Sequence, residues 1–223
     1  MRRLYPIISA VILMAGILIF AVPSFASPIP VQGDTIKITN WGNGQNGGGV
    51  FNMQSVTSQN GPYNLSTFCA ENDRYFTPGT VYTIYNISNT VQNRGIALNK
   101  NTDALVYLFS SNKLSGYDGS NKAQATLQYM IWEYQGQNVS WDASKYDQTL
   151  YDSLKGQVGS LIAANPNMIS FGTLVLNIGI CTNGVCTDNQ SQFWNPGTPV
   201  PEPSTLLLFG AGLLGLALKF RKK

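Results

Sequence analysis

Residues 120–136 read SNKAQATLQYMIWEYQG, which is the clearest helical pattern in the chain. The apolar positions recur at the i, i+3, i+4, i+7 spacing of one helix face, at Leu127, Met130, Ile131 and Tyr134. Ser120 is a favoured N-cap residue, and a glycine such as Gly136 commonly follows the last helical turn. The segment therefore predicts an amphipathic helix that buries one face against the rest of a domain.

Two further helical patterns flank this helix, and strand patterns occupy the rest of the secreted part. Thr102 or Asp103 could cap a helix that continues to Phe109, and another helix is expected over about 143–164, before Pro166. Alternating or β-branched runs predict strands at 35–39, 50–56, 65–71, 81–87 and 173–180. The prediction is an α+β fold: a β-rich domain, residues 27–194, with a helical insert from about residue 101 to 164.

The N-terminal residues 1–26 have the pattern of a secretory signal peptide. Arg2 and Arg3 precede an apolar run over 7–22. Ser24 and Ala26 then place small side chains at the −3 and −1 positions of a cleavage site, so we expect cleavage after Ala26. An uncleaved N-terminal anchor is the alternative interpretation.

The C-terminal residues 200–223 form a second targeting pattern. It consists of Val200-Pro201-Glu202-Pro203, an apolar run over 206–218 and a basic end with Lys219, Arg221, Lys222 and Lys223. This tail resembles the PEP-CTERM sorting signal of exported bacterial proteins. The resemblance implies a transmembrane helix, recognition and cleavage near the motif by a membrane exosortase, and a bacterium with an outer membrane that makes exopolysaccharide. An ordinary membrane anchor is the alternative, and residues 195–199 are a proline-rich linker in either case.

Charge and histidine content exclude several classes of function. The chain has a formal net charge of +3, but residues 27–199 contain eight Lys and Arg against ten Asp and Glu. No basic surface remains for a phosphate backbone, so nucleic-acid binding is not expected. The absence of histidine rules out Ser-His-Asp triads, Cys-His dyads and His-ligated zinc. The carboxylates are scattered without a paired motif, so they do not indicate a hydrolase. We expect no cofactor, no metal site and no enzymatic activity.

The three cysteines divide into a pair and a single residue. Asn183-Gly184 is a preferred two-residue hairpin turn, which places Cys181 and Cys186 opposite each other at a distance that a disulfide accepts. An exported domain permits that oxidation. Cys69 is then left over, and two explanations are a buried apolar thiol or an intermolecular disulfide.

The surroundings of Cys69 suggest a third explanation. Phe68-Cys69-Ala70-Glu71 is followed some sixty residues later by Leu127-Gln128, with Ile131 and Trp132 completing the second motif. Together they resemble the Cys-Gln thioester domain of bacterial surface adhesins, which pairs an aromatic-Cys-aliphatic-acidic strand with an apolar-Gln-x-x-apolar-Trp helix. The resemblance implies a Cys69–Gln128 cross-link and covalent adhesion to an amine-bearing partner.

The chemistry of such a cross-link also follows from the residue types. A thiolate is a good nucleophile, and enforced proximity compensates for the poor reactivity of an amide. We expect Phe68, Tyr129 and Trp132 to exclude water from the product, and Glu71 or Tyr75 to assist proton transfer. Alternatively, Gln128 is a polar residue at a helix edge and the aromatic residues are ordinary core. The protein would then be a non-covalent exopolysaccharide-matrix or carbohydrate-binding protein.

Overall fold

The computed structural model of the chain describes residues 28–40 and 48–197. Within these residues the strands are β1 (Thr35–Ile38), β2 (Phe51–Thr57), β3 (Asn64–Cys69), β4 (Val81–Ser88), β5 (Thr90–Val91), β6 (Ile96–Ala97), β7 (Leu174–Thr182), β8 (Val185–Asp188) and β9 (Gln192–Trp194). The helices are α1 (Lys100–Ser110), α2 (Asn121–Tyr134) and α3 (Gln148–Ala164). All three helices fall between β6 and β7, so the predicted α+β class with a helical insert is confirmed.

Six strands close into an antiparallel barrel in the order β4-β1-β2-β3-β9-β7. The closure depends on β7, which pairs with β9 along one edge and with β4 along the other. β8 continues from β7 as the second arm of a hairpin, and β5 and β6 form a separate two-stranded ladder. The short strand β9 is not predicted from the sequence, although it joins β3 to β7 and completes the barrel.

Alternation of side chains along the strands separates two cores. In β2, Phe51 and Met53 are buried while Asn52 and Gln54 are exposed, as one-sided burial of a pleated strand requires. The barrel interior is filled by apolar side chains that include Ile36, Ile38, Phe51, Met53, Tyr82, Ile84, Leu176, Ile178 and Trp194. The second core lies between the outer face of the barrel and the helices, and it includes Phe68, Leu105, Leu127, Met130, Leu154, Val175 and Phe193.

Helix α2 begins and ends where its sequence predicts. The Ser120 side chain accepts a hydrogen bond from the Ala123 N–H at 3.2 Å, which satisfies one of the free donors of the first turn. At the other end Gly136 adopts a φ of 71°, the left-handed conformation that glycine takes at little cost. Caps at both ends therefore set the limits of the helix that carries Gln128.

The predicted starts of the other two helices are wrong by several residues. Helix α1 begins at Lys100 because Asn99, and not Thr102 or Asp103, caps it by accepting from the Asn101 N–H. The buried Asp103 carboxylate instead accepts hydrogen bonds from the loop before β7, at Ser170 Oγ, Phe171 N–H and Thr173 N–H.

Helix α3 begins at Gln148 and not near residue 143. Asp142 forms a local turn by accepting from both the N–H and the hydroxyl of Ser144, which competes with helix formation. Asp147 then caps the helix by accepting from the Leu150 N–H at 3.0 Å. The C-terminal end at Ala164 agrees with the prediction, since Pro166 follows closely.

The hairpin of β7 and β8 has the predicted register. Asn183 and Gly184 both have positive φ, 52° and 79°, as a type I′ turn requires. Cys181 pairs directly with Cys186, their Cα atoms are 4.0 Å apart, and a disulfide joins them. The predicted disulfide is confirmed.

The chain after β9 remains attached to the domain as far as the structure describes it. Asn195 is buried and donates from its side-chain amide to the Phe171 carbonyl and the Thr173 hydroxyl at 3.0 Å. The carbonyl of Gly197 accepts a hydrogen bond from the Ser111 hydroxyl. Residues 195–197, which the sequence assigns to a linker, are therefore bound to the folded domain. In the part of the chain covered by 28–40 and 48–197, no helix combines the length and the apolar character of a membrane span.

Candidate functional site

Cys69 is the last residue of β3, and its side chain packs with the barrel interior. Its neighbours Phe68 and Ala70 pack on the opposite face, with the helices, as successive residues of a strand must. The Ala70 N–H donates to the Ser191 carbonyl on the β9 side. The N–H and C=O of Cys69 therefore point to the other side, toward β2.

The β2 side offers no strand partner to Cys69, because the pairing of β2 with β3 stops at Phe51 and Thr67. The Gln128 side chain takes the empty position. Its Oε1 accepts from the Cys69 N–H at 3.1 Å, and its Nε2 donates to the Cys69 carbonyl at 2.9 Å. Cys69 is 0% and Gln128 1% exposed. The structure thus brings together the two residues that the sequence pairs, and it joins the Gln128 carboxamide to the backbone of Cys69.

Helix α2 brings Gln128 to this gap, and Gly48 covers it. A Cβ on Gly48 would lie 2.7 Å from Gln128 Cγ and 3.1 Å from the Trp132 ring. Only a residue without a side chain allows the backbone to approach this closely. Trp132, one turn after Gln128, packs with Cys69 and the rest of the barrel interior. Trp132 therefore lies where a residue that shields the pair is expected.

The other predicted shielding residues lie elsewhere. Phe68 packs edge-on against Phe109 in the helix core, on the opposite face of β3 from the Cys69 side chain. Tyr129 belongs to an aromatic cluster on the helices, which also contains Trp141, Tyr146 and Tyr151. Tyr75, one of the two residues considered for proton transfer, is 76% exposed.

Glu71, the other residue considered for proton transfer, is completely buried two residues after Cys69. Its carboxylate accepts from the Ser191 N–H at 2.7 Å, and its carbonyl accepts from the Gln190 side chain at 2.6 Å. These bonds tie the end of β3 to the segment before β9. The carboxylate is close enough to the Cys69 sulfur to affect its ionisation.

A residue that sequence reasoning missed faces the sulfur directly. Gln192 is paired with Cys69 in the register of β3 and β9, it is fully buried, and its Nε2 lies 4.0 Å from the Cys69 Sγ. Burial raises the pKa of the Cys69 thiol well above its usual value, the hydrogen bond from Gln192 lowers it, and the Glu71 charge raises it. Gln192 therefore works against the two effects that keep the thiol protonated. The aromatic residues that follow it, Phe193 and Trp194, are a sequence signal of a strand, but they do not show that this strand lies beside Cys69.

The geometry defines what this site can do chemically. It contains a nucleophilic atom and an amide held against the nucleophile's own backbone, and both groups are buried. In the described part of the chain, no cluster of Cys, Asp and Glu side chains is arranged to hold a metal ion. A cavity of about 340 Å³ elsewhere in the domain contains none of the predicted site residues, and its lining includes Tyr107, Leu161, Asn165, Met168, Phe171 and Pro196.

The targeting residues lie outside the described part of the chain. These are the expected cleavage position Ala26 and the motif residues Val200, Pro201, Glu202 and Pro203. The expected signal peptide and the expected C-terminal membrane helix lie outside it too.

Comparison with known proteins identifies one segment of the chain. Residues 199–222 match the family model of the PEP-CTERM protein-sorting motif. The chain has no significant similarity to a curated protein or to a solved structure. The match covers the tail with its Val200–Pro203 motif and does not extend to the barrel domain. The chain thus carries a PEP-CTERM sorting motif, which implies a protein that is exported, processed by exosortase and sorted to the cell surface.

Proposed function

We propose that the exported domain is a surface adhesion module in which Cys69 and Gln128 form an internal thioester. The observation that carries the proposal is the pair of buried hydrogen bonds, at 3.1 and 2.9 Å, between the Gln128 carboxamide and the Cys69 backbone. Surface sorting through the PEP-CTERM motif suits an adhesin. The layout that we propose is a signal peptide (1–26), the thioester domain (27–194), a linker (195–199) and the sorting signal (200–223).

The backbone of Cys69 supports the first step as an electrostatic catalyst. Attack of the Cys69 sulfur on the Gln128 side-chain carbonyl carbon moves negative charge onto Oε1. That oxygen already accepts from the Cys69 N–H, and a donor aimed at a developing oxyanion lowers the barrier. The S–C bond forms, the C–N bond breaks, and the thiol proton leaves with the nitrogen as ammonia.

Proximity and burial favour the product. The end of a barrel strand and a capped helix hold the two groups, and effective molarities of about 10⁵ M or more follow from such fixed contacts. A thioester hydrolyses when water reaches it, and here both residues are almost completely buried. Gly48 and Trp132 close the side of the pair that they contact.

Capture of a partner then consumes the thioester. A primary amine attacks the Gln128 acyl carbon, the S–C bond breaks, and the Cys69 thiol is restored while an amide joins Gln128 to the partner. The partner is an amine-bearing surface molecule or an amine carried by the exopolysaccharide. Each molecule reacts once, so we propose a single-use reagent and not an enzyme. It works in the envelope or matrix of a bacterium with an outer membrane, and before processing it is tethered to the inner membrane.

Intact mass tests this proposal. The full chain, purified without reductant or amine buffer, is compared with its Cys69→Ala and Gln128→Leu variants. In the wild type we expect a loss of one ammonia, about 17 Da, relative to the mass that the sequence gives after terminal processing. Both variants should lack this loss. Terminal processing is common to all the proteins compared, so it cancels from the differences.

Gln135→Leu is the matched control. Gln135 is a buried glutamine just after α2, and its side chain accepts from the N–H of Asn99, the residue that caps α1. This variant should keep the ammonia loss. A wild-type chain that retains the full mass would contradict the thioester and would favour the alternative, a matrix protein that binds exopolysaccharide without a covalent bond.

A further inference from the structure

Gln192 is a second buried glutamine at Cys69, on the opposite side from Gln128. It is directly across from Cys69 in the antiparallel pairing of β3 and β9, so the two side chains lie on the same face of the sheet. Both residues are 0% exposed. Burying a primary amide is unfavourable unless its hydrogen bonds are made, so the partners of Gln192 indicate its role.

The orientation of the Gln192 amide follows from its neighbours. The Gln190 carbonyl lies 3.3 Å from Nε2 and can only accept a hydrogen bond, so the group that faces it is the NH₂. The Thr67 hydroxyl donates to Oε1 at 2.9 Å. The remaining N–H of Nε2 is directed to the Cys69 Sγ, at 4.0 Å.

We propose that Gln192 is the hydrogen-bond donor that stabilises negative charge on the Cys69 sulfur. This inference rests on the proposed thioester. It concerns the Cys69 sulfur, which takes part both in thioester formation and in capture of the amine. The sulfur carries negative charge when it attacks Gln128. It receives the electron pair of the S–C bond when an amine displaces it, and the amine's proton then moves to the sulfur. A fixed N–H at the sulfur favours both steps.

The electrostatics of the site explain why a donor is needed. Complete burial and the nearby Glu71 carboxylate both disfavour a thiolate at position 69. Among the described residues, no lysine or arginine charge acts on the thiol to offset them. A hydrogen bond to a charged atom is about twice as strong as one between neutral groups. The Gln192 N–H therefore offsets part of the cost of a thiolate where no lysine or arginine does so.

The first experiment measures methylamine uptake by the full chain. Gln192→Leu should react about tenfold more slowly than the wild type, the factor expected when a hydrogen bond to a charged atom is lost. Gln192→Glu, which replaces the donor by an acceptor of the same shape, should be slower still. Gln135→Leu, which removes a buried glutamine away from the sulfur, should react at the wild-type rate. Equal rates for wild type and Gln192→Leu would overturn the inference.

The second experiment works whether or not the thioester forms. In a Gln128→Leu background the single free thiol is Cys69, and its reaction with methyl methanethiosulfonate between about pH 7 and 9 reports the thiolate fraction. Adding Gln192→Leu should lower that rate about tenfold, equivalent to a one-unit rise in the thiol pKa. Hydrogen exchange of the Cys69 amide checks that access is unchanged.

The two proposals fail in different ways. A wild type without the ammonia loss refutes the thioester, while the thiol reaction still tests the donor. An unchanged thiol rate, with unchanged hydrogen exchange, overturns the role of Gln192 even if the thioester is present. Thermal unfolding of every variant confirms that the comparison is made between folded proteins.

Discussion

At the scale of single residues, one carboxamide satisfies both backbone polar groups of Cys69, since Gln128 Oε1 accepts from the Cys69 N–H and Gln128 Nε2 donates to the Cys69 carbonyl. The order of the two motifs suggests that Cys69 and Gln128 are neighbours, and the structure places them in contact. The manner of contact is not readable from the motifs, because it depends on where β2 stops. The pairing of β2 with β3 ends at Thr67. The backbone of Cys69 therefore has no strand partner on the β2 side, and the Gln128 side chain from α2 makes those hydrogen bonds instead.

Gln192 shows more clearly how far the site can be predicted from the sequence. It lies 123 residues after Cys69 in the chain, within a polar segment that has no motif of its own. Only the closure of the barrel through β9 brings it to the sulfur. A single sequence does not specify strand order, so neither this neighbour nor its role could be predicted.

Gly48 leads to a prediction at the same scale. Gly48→Ala should lower the free energy of unfolding by about 1–3 kcal/mol, because the added methyl group collides with Gln128 and Trp132 in a packed interior. Urea denaturation measures the change. The thioester fraction should fall as well, since the collision displaces Gln128.

Gly156→Ala is the matched control for this substitution. Gly156 lies in the exposed middle of α3, and a Cβ there would meet nothing within 4 Å. Alanine favours a helix over glycine by about 1 kcal/mol, so this variant should be as stable as the wild type or more stable. Equal destabilisation by both substitutions would mean that Gly48 does not lie against the site.

At the scale of elements, caps and turns predict where a helix or hairpin begins and ends when no other group competes for their hydrogen bonds. The caps of α2 and the Asn183-Gly184 turn lie within short segments, and both predictions are confirmed. The predicted starts of α1 and α3 are wrong because other local or tertiary hydrogen bonds compete with the expected helix starts. Asp103 has the residue type of an N-cap, but the loop before β7 uses its carboxylate.

The disulfide hairpin supports a prediction about elements. Replacing Cys181 and Cys186 together by serine should lower the free energy of unfolding by only about 2 kcal/mol, because the bond closes a very short loop. The ammonia loss should remain, since Cys69 is not part of the disulfide. Urea denaturation and intact mass check the two statements. If this double variant no longer showed the ammonia loss, the division into a Cys181–Cys186 disulfide and a separate Cys69 would be contradicted.

At the scale of the whole molecule, the barrel and the helix layer meet at the candidate site. Cys69 lies in one core, and most of α2 is buried in the other. Composition and pattern predict a β-rich body with a helical insert. They do not predict a closed barrel, because closure requires β7 to pair on both edges and β9 to join the sheet.

Two partly buried tyrosines make the free energy of unfolding decrease at alkaline pH. Burial raises the pKa of Tyr117 and of Tyr134 to about 12. The folded state therefore holds these protons more tightly than the unfolded chain, where tyrosine ionises near about pH 10. The stability that they contribute is complete below about pH 10 and is lost as the pH rises toward about 12.

Urea denaturation at several pH values measures this dependence. The free energy of unfolding should be nearly constant from about pH 6 to 9, since the chain has no histidine to titrate there, and should fall above about pH 10. A Tyr117→Phe, Tyr134→Phe double variant should lose less stability in the alkaline range. A decline as steep as that of the wild type would contradict the assignment to these two residues.

The position of a captured amine tests the central claim most directly. The full chain is incubated with methylamine, digested and mapped by tandem mass spectrometry. We expect one methylamide, on Gln128, together with a newly alkylatable thiol at Cys69. A methylamide on Gln192, or no incorporation in a folded chain, would contradict the account.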